Sequence, residues 1–193
     1  MHTETRVVAQ HRDRLEQVAR VAAPDGSLIR RVWPKDRLVR TAREADVSHP
    51  RTRIINGDGE DESDGLSYPL FVKAAGSVGA HGVTKVDDPA ELQPTIDRLR
   101  RWAEDFDAGP LLLQEAAEGE DYCFTGLWQG GRPIAHMTYR NLQTLPPSGG
   151  TGVLRETVDA APLIEPANQL MRHVGWHGVG QLDFRWTGRD DDP

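Results

Sequence analysis

The sequence has a single cysteine, three lysines and no apolar run long enough to span a membrane. Cys123 has no second cysteine to form an internal disulfide with, which is typical of a protein from a reducing compartment. A membrane helix needs about 20 consecutive apolar residues, and the polar N-terminus has no hydrophobic signal segment. We therefore expect a cytoplasmic protein that has no membrane partner.

The charge balance excludes another class of partners. The formal net charge is −7, so nucleic acid is not expected as a general partner. Any anion that the protein binds must be held by a local cluster of positive groups. With 193 residues, the chain is long enough for one sizeable core or two small lobes.

Lysine is scarce although basic residues are common. Of the 23 basic residues only Lys35, Lys73 and Lys85 are lysine, and the others are arginine. A compact ammonium on a flexible stem reaches a phosphate as a point charge, which a planar guanidinium does not. The alternative explanation for the few lysines is codon bias, which would leave three of them at random positions. This explanation stays open for Lys85.

The segment SYPLFVKAAGSVGAHGV places Lys73 at the end of an apolar strand, directly before a glycine-rich turn. A P-loop has its lysine after the glycines, so the order here is a different one. Glycine leaves room for a ligand to touch the backbone, and exposed N–H groups suit a phosphate. A surface hairpin would show the same pattern. The turn contains one serine and three glycines at every third position: Ser77, Gly76, Gly79 and Gly82.

The remaining patterns predict helices and strands in mixed order. We expect a short amphipathic helix around 15–22, a helix that begins at Lys35, and a strand at 51–55. The acidic segment at 56–65 is typical of a solvated loop. Asp88 and Pro89 form a helix start signal for a long amphipathic helix.

The second half of the chain begins with an apolar strand before Gln114. A β-hairpin that turns at Gly130 and Gly131 follows, then a loop rich in proline and glycine, a helix around 165–174 and a final strand that ends at Trp186. No regular alternation of strand and helix is present, so the sequence predicts an α+β fold in two lobes.

Five segments, in this order, resemble the ATP-grasp family and in particular its carboxylate–amine ligase branch. The resemblance covers roughly Lys35 to Phe184, and it implies two α+β lobes that clasp a nucleotide, incomplete at the C-terminus. Residues 1–34 would be a remnant or linker, 35–113 the small lobe with a glycine-rich flap, and 114–193 the large lobe. The segments are KDRLVRTAREADVSHPRT from Lys35, YPLFVKAAGS around Lys73, QEAAEGEDY at 114–122, YRNLQTLPPSGGTGVLRETV at 139–158 and VGWHGVGQLDFR at 174–185.

The resemblance implies a ligase that phosphorylates a small-molecule carboxylate with ATP and lets an amine displace the phosphate. Lys35 and Lys73 would neutralise the α- and β-phosphates. The backbone N–H groups of Gly76, Ser77, Gly79 and Gly82 would cover the phosphates and exclude water. Asp183 would bind Mg²⁺, which prefers oxygen ligands.

The same resemblance assigns the other contacts. Arg140 would stabilise the acyl-phosphate, although Arg155 would serve as well, and Asp121 or Glu120 would accept from the ribose hydroxyls. Each residue also has a purely structural alternative, such as a solvated turn or an arginine ion pair. Adenine would be recognised mostly by main-chain groups of Gln114, Glu115, Ala116 and Ala117.

The sequence departs from the family pattern at two points. A second metal-binding strand of the form E-x-N-x-R does not follow QLDFRWTGRDDDP, so we expect a fragment with weak or no ligase turnover. Gln181 stands where D-alanine–D-alanine ligases carry arginine, which weighs against a peptidoglycan role. A non-catalytic ATP-binding remnant or regulatory fragment is the alternative function, and a homodimer is kept open as the assembly.

Overall fold

A computed structural model describes residues 3–21, 23–55, 65–78, 81–147 and 149–189. Within these ranges, no helix is both long and apolar enough to cross a bilayer. The helices are α1 Thr3–Gln10, α2 Arg12–Leu15, α3 Gly26–Val32, α4 Lys35–Glu44, α5 Leu92–Asp105 and α6 Ile164–Val174, with short 3₁₀ turns at Pro89–Glu91 and Ala161–Leu163. The strands are β1 Thr52–Ile55, β2 Leu70–Ala74, β3 Val83–Val86, β4 Leu111–Glu115, β5 Glu120–Gln129, β6 Arg132–Leu145, β7 Thr151–Thr157 and β8 Gly178–Trp186.

The chain divides into two compact units. The first, which we call the lysine unit, consists of Trp33–Val39 and His49–Ala117. The second, the long-hairpin unit, consists of Met1–Val32, Arg40–Ser48 and Glu118–Pro193. The predicted boundaries at 34 and 113 stay a prediction.

The lysine unit contains an antiparallel sheet with the strand order β1-β4-β2-β3. Val72 and Leu113 point to one face, where they are buried with Ile96 of α5. Because side chains alternate along a strand, Lys73 and Gln114 point to the opposite face. The core on one side of the sheet therefore fixes which side presents the lysine.

The long-hairpin unit contains a second antiparallel sheet, with the order β7-β6-β5-β8. Phe124 and Trp128 are buried on one face, and the Trp128 indole N–H donates to Asn168 Oδ1 of α6 at 3.0 Å. The alternate residues Gln181 and Asp183 of β8 are exposed on the other face. This second face, which we call the open face, carries Gln181 and Asp183.

We expect Asn168→Ala to lower the free energy of unfolding by about 1–3 kcal/mol, because the Trp128 indole N–H would lose its buried acceptor. Gln143→Ala, at an exposed position of β6, is the matched control and should change stability by less than about 0.5 kcal/mol. Urea unfolding curves of both variants measure the difference. Equal stabilities of the two variants would contradict the prediction.

Most of the predicted elements are confirmed. The α+β class is correct, a helix begins at Lys35, and β2 pairs with β3 as a hairpin. The Asp88 side chain accepts from the Ala90 N–H at 2.9 Å, and the α-helix itself begins later, at Leu92. The predicted acidic loop lies outside the described residues except for Gly65.

Two predictions about secondary structure are wrong. The helix expected around 15–22 does not form in the described residues 16–21, since α2 ends at Leu15 and Val18 is 85% exposed. Apolar spacing stabilises a short helix only where its apolar face is buried. Strand β7 lies in a segment predicted as loop, because nearly all of its residues are exposed and the edge strand shows no apolar alternation.

Candidate functional site

Lys73 lies on the sheet face of the lysine unit that is opposite to α5. Its Nζ donates to Gln114 Oε1 at 2.5 Å and lies 5.2 Å from the Phe71 ring centroid. The Gln114 amide is oriented by its Nε2, which donates to Thr52 Oγ1 at 2.8 Å. The ammonium is therefore held in place by a neutral partner, and its charge is not cancelled by that contact.

Lys35 is the first residue of α4 and approaches the glycine-rich turn. Its Nζ donates to the carbonyl oxygen of Ser77 and, at 2.8 Å, to Ser77 Oγ. Burial and, as the smaller cause, the positive charge of Lys73 together lower the pKa of Lys35 from its ordinary 10.5 to about 8. The two ammonium groups therefore repel each other, and an anion beside them would relieve that repulsion.

The start of the glycine-rich turn is tied to the rest of the lysine unit. The Gly76 N–H donates to the Ala108 carbonyl at 2.6 Å, and the Ser77 N–H donates to the Ala74 carbonyl at 3.0 Å. A Cβ at Gly76 would lie 3.0 Å from the Ala108 oxygen, so this glycine serves close packing. Two of the N–H groups that were expected to cover phosphates are thus used within the chain.

Gly82 also has a packing role. It has a φ of +69°, and a Cβ there would lie 2.5 Å from the Trp102 ring. Gly79 lies outside the described residues. The glycine pattern is therefore explained at two of its three positions by the fold of the turn itself.

The segment predicted to contact adenine is divided between the two sides of β4. Gln114 points towards Lys73, whereas Glu115 accepts from the Ser67 N–H at 2.8 Å and from Arg51 Nη1 at 3.1 Å. The Ala116 N–H donates to the Pro69 carbonyl at 3.0 Å. Ala117 follows directly and is half-buried.

The open face of the long-hairpin unit brings Asp183 next to Cys123, its direct partner across β5 and β8. Asp183 Oδ1 accepts from Gln181 Nε2 at 2.8 Å and from Cys123 Sγ at 3.3 Å. Burial raises the pKa of the Cys123 thiol to about 12, and the charge of Asp183 contributes to the rise. The thiol therefore stays protonated at neutral pH and acts as a donor to the carboxylate.

Asp121 and Asn141 lie on the same open face. Asn141 Nδ2 donates to Asp121 Oδ2 at 2.9 Å. Asn141 Oδ1 is buried and has no hydrogen-bond partner within the described ranges. A Cβ at Gly152 would overlap that oxygen, so the glycine makes room for the amide.

The carboxylate oxygens of Asp121 and Asp183 on the open face are ligands of the kind that a hard cation prefers. Among the described residues, no group of three His, Cys, Asp or Glu side chains could form a complete metal site. Mg²⁺ commonly uses only one or two protein carboxylates and takes its other ligands from water and substrate phosphates. Asp183 on β8 is compatible with such a partial ligand set, whereas the buried Asn141 Oδ1 lies beside Gly152 of β7, at the opposite edge of the sheet.

Arg140 lies on the other face of this sheet. Its Nη1 and Nε form ion pairs with Glu120 at 2.9 Å and Glu156 at 2.8 Å, and both carboxylates raise the pKa of the guanidinium. Its direct partner on β5 is Tyr122, which is buried. The structure therefore does not bring Arg140 and Glu120 together with Asp183 and Asp121.

Arg155 lies on the open face instead. Its guanidinium carbon is 4.9 Å from the Tyr139 ring centroid, and Tyr139 is the direct partner of Cys123. Burial raises the pKa of the Tyr139 phenol to about 12, so the hydroxyl keeps its proton. Sequence reasoning gave Tyr139 and Asn141 no role at this face, and it noted Gln181 only as a departure from the family pattern. The alternation along β8 could have placed Gln181 on the same face as Asp183.

Comparison with known proteins identifies several relatives of this chain. No family model matches the chain. It is 26% identical over 159 residues to the vancomycin B-type resistance protein VanB of Enterococcus faecalis, a match that spans 74% of this chain and 45% of VanB. It is also 26% identical over 161 residues to a putative D-alanine–D-lactate ligase of Streptomyces coelicolor, with 74% of this chain and 44% of that protein covered. The chain thus spans less than half the length of these curated relatives.

Solved structures show the same fold. The D-alanine–D-alanine ligase from Bacillus anthracis complexed with ATP superposes with a TM-score of 0.70 and 14% identity, over 96% of this chain and 62% of that one. The biotin carboxylase domain dimer of the Hydrogenobacter thermophilus 2-oxoglutarate carboxylase, in complex with MgADP, gives a TM-score of 0.73 and 17% identity, over 95% of this chain and 43% of that one. With the ordered motifs and the two antiparallel sheets, these likenesses show that the chain has the ATP-grasp fold and is similar to carboxylate–amine ligases.

Proposed function

We propose that this chain is the ATP-binding part of a ligase that activates a small-molecule carboxylate as an acyl-phosphate for attack by an amine. The observation that carries the proposal is the pair of ammonium groups in the lysine unit. Burial and the positive charge of Lys73 both disfavour the charged form of Lys35, so an anion that both ammonium groups can contact would favour it. A polyphosphate supplies such negative charge.

In this proposal Lys35 and Lys73 each bind phosphate oxygens. Lys73 keeps its contact with the neutral Gln114 amide, which orients the ammonium without neutralising it. Lys35 exchanges one of its Ser77 contacts for a phosphate oxygen. Ser77 is only 2% exposed, so it stays in place as the anchor of the turn.

In the long-hairpin unit, Asp183 is the proposed ligand of Mg²⁺. When bound, the ion would neutralise charge on the transferred phosphoryl group. The relative solved with MgADP supports this choice of metal. Asp121 is the proposed acceptor of the ribose hydroxyls, because Glu120 is engaged by Arg140 on the other face.

Arg155 is the arginine that the geometry favours for the acyl-phosphate. It lies on the open face with Asp183, whereas Arg140 is paired with two glutamates on the opposite face. The role of Arg140 stays a prediction. Substrate classes are proposed from the relatives: a small carboxylate such as D-alanine, and a second small molecule with an amine or hydroxyl nucleophile.

The proposal predicts that Lys73→Met weakens ATP binding by at least about thirtyfold, because removing one partner of a buried charge pair costs about 2 kcal/mol or more. The affinity for adenosine should stay unchanged, since it carries no phosphate. Lys85→Met is the matched control, because Lys85 is an exposed lysine on the paired strand β3. Calorimetric titrations with ATP and with adenosine measure both affinities. Equal ATP affinity of the two variants would contradict a phosphate-binding role of Lys73. The glycines and lysines would then be ordinary loop and surface residues.

A second candidate function is ATP binding without chemistry. It is favoured by the lack of a three-ligand acidic cluster in the described part of the chain. Incubation with ATP, D-alanine and hydroxylamine distinguishes the two, because an acyl-phosphate is trapped as a hydroxamate. ATP binding without hydroxamate favours the binding-only candidate.

A further inference from the structure

The two oxygens of the Asp183 carboxylate have different surroundings. Oδ1 accepts two hydrogen bonds, from Gln181 Nε2 at 2.8 Å and from Cys123 Sγ at 3.3 Å. Within the described ranges no side chain donates to Oδ2. Because the donors all reach one oxygen, the carboxylate presents its other oxygen to solvent.

The Gln181 amide is itself held in one orientation. Its Oε1 accepts from the Tyr139 hydroxyl at 2.9 Å and from Thr125 Oγ1 at 3.5 Å. The phenol is fixed, since Tyr139 is 6% exposed and the Arg155 guanidinium covers its ring. A reversed amide would place Oε1 against the carboxylate, so the N–H₂ group faces Asp183.

We propose that Gln181 is a positioning residue that makes Asp183 a one-oxygen ligand and thereby favours Mg²⁺ over Ca²⁺ at this face. The inference rests on the proposed metal role of Asp183. Ca²⁺ takes 6–8 oxygen ligands and accepts both oxygens of a carboxylate, whereas Mg²⁺ requires near-ideal octahedral geometry with single oxygens. Side chains that orient a ligand carboxylate in this way typically change metal affinity by about 10–100-fold when removed.

The test uses Gln181→Met, which keeps the length of the side chain and removes all hydrogen bonds of the amide, including the one to Asp183. The affinity for a non-hydrolysable ATP analogue is measured by calorimetry in Mg²⁺ and in Ca²⁺. The intrinsic affinity of each ion for the nucleotide is the same for every variant, so it cancels when variants are compared. We expect a loss of about tenfold in Mg²⁺ and less than about twofold in Ca²⁺.

Two further variants sharpen the result. Gln129→Met removes an exposed glutamine at the far end of β5 and should change neither affinity. Tyr139→Phe removes the donor that orients Gln181, so it should shift the ion preference in the same direction by a smaller factor. The double variant should be no worse than Gln181→Met alone, because Tyr139 acts through Gln181.

The outcomes separate this inference from the proposed function. An equal loss in both ions, or no loss, overturns the role of Gln181, provided that Asp183→Asn weakens binding in Mg²⁺. If Asp183→Asn itself has no effect on binding in Mg²⁺, the metal role of Asp183 fails and this inference fails with it.

Discussion

ATP affinity is expected to fall about thirtyfold between about pH 7 and about pH 9.5, because Lys35 loses its proton in that interval. Its pKa in the protein without ligand is about 8. Below that value Lys35 is charged, and above it Lys35 no longer offers a positive charge to phosphate. Bound phosphate would favour the charged form of Lys35 and so raise its pKa.

As the pH rises, the titration of Lys35 changes the stability of the folded protein in the opposite direction to its ATP affinity. The pKa of Lys35 in the folded protein, about 8, is lower than its ordinary value of 10.5. At neutral pH the lysine is charged in both the folded and the unfolded state, and burial of that charge disfavours the folded one. This cost is relieved as the pH rises from about 8 towards 10.5. The protein without ligand should therefore gain stability in the same interval in which it loses ATP affinity.

Two measurements check the pH prediction. Calorimetric titrations with ATP at pH 8, in buffers of different ionisation enthalpy, should show an uptake of about half a proton per nucleotide. Lys35→Arg keeps its charge over the whole interval, so its ATP affinity should be nearly independent of pH. Proton uptake that persists unchanged in Lys35→Arg would assign the titration to another group.

The largest effect on stability is expected at Gly119, in the turn before β5. Its φ is +101°, and a Cβ there would overlap the carbonyl group of Trp186 and lie 2.8 Å from the Thr187 nitrogen. These are backbone atoms at the end of β8, so they cannot move aside as a flexible side chain would. Gly119→Ala should lower the free energy of unfolding by about 3 kcal/mol or more, the sum of backbone strain and overpacking.

Gly130→Ala is the matched control for that variant. Gly130 also has a positive φ, of +58°, but a Cβ there would meet nothing within 4 Å in the described part of the chain. We expect a loss of about 1 kcal/mol from backbone strain alone. Urea unfolding followed by circular dichroism compares the two. Similar losses in both variants would show that the approach of Gly119 to Trp186 costs nothing.

Local sequence patterns were sufficient where neighbouring residues decide the structure. The helix that begins at Lys35, the Asp88 cap and the full extent of β8 were predicted from caps, spacing and apolar alternation. The position of Lys73 at the end of a strand before a glycine turn follows from the same kind of pattern. Edge strand β7 was missed because its residues are exposed on both sides, which removes the alternation that marks a strand.

The candidate site shows the same division. Lys35 and Lys73 were singled out by the scarcity of lysine, and the mutual effect on their charges is a tertiary property. Gly76 and Gly82 were predicted as groups that contact phosphate, yet packing against Ala108 and Trp102 already requires them to be glycine. The residue type limits which roles a position can have, but the neighbouring residues in the structure show which of these roles it has.

The sequence by itself determined most of the order of the elements, the two ammonium groups and the resemblance to the ATP-grasp family, because these depend on residue types and their spacing along the chain. Only the tertiary structure decided which side chains share a face. The pairing of Arg155 with Asn141 places Arg155 on the side of Asp183, and the pairing of Arg140 with Tyr122 and Glu156 places Arg140 on the other. A shift of one residue reverses the side of the sheet to which a side chain points, and no local pattern records such a shift.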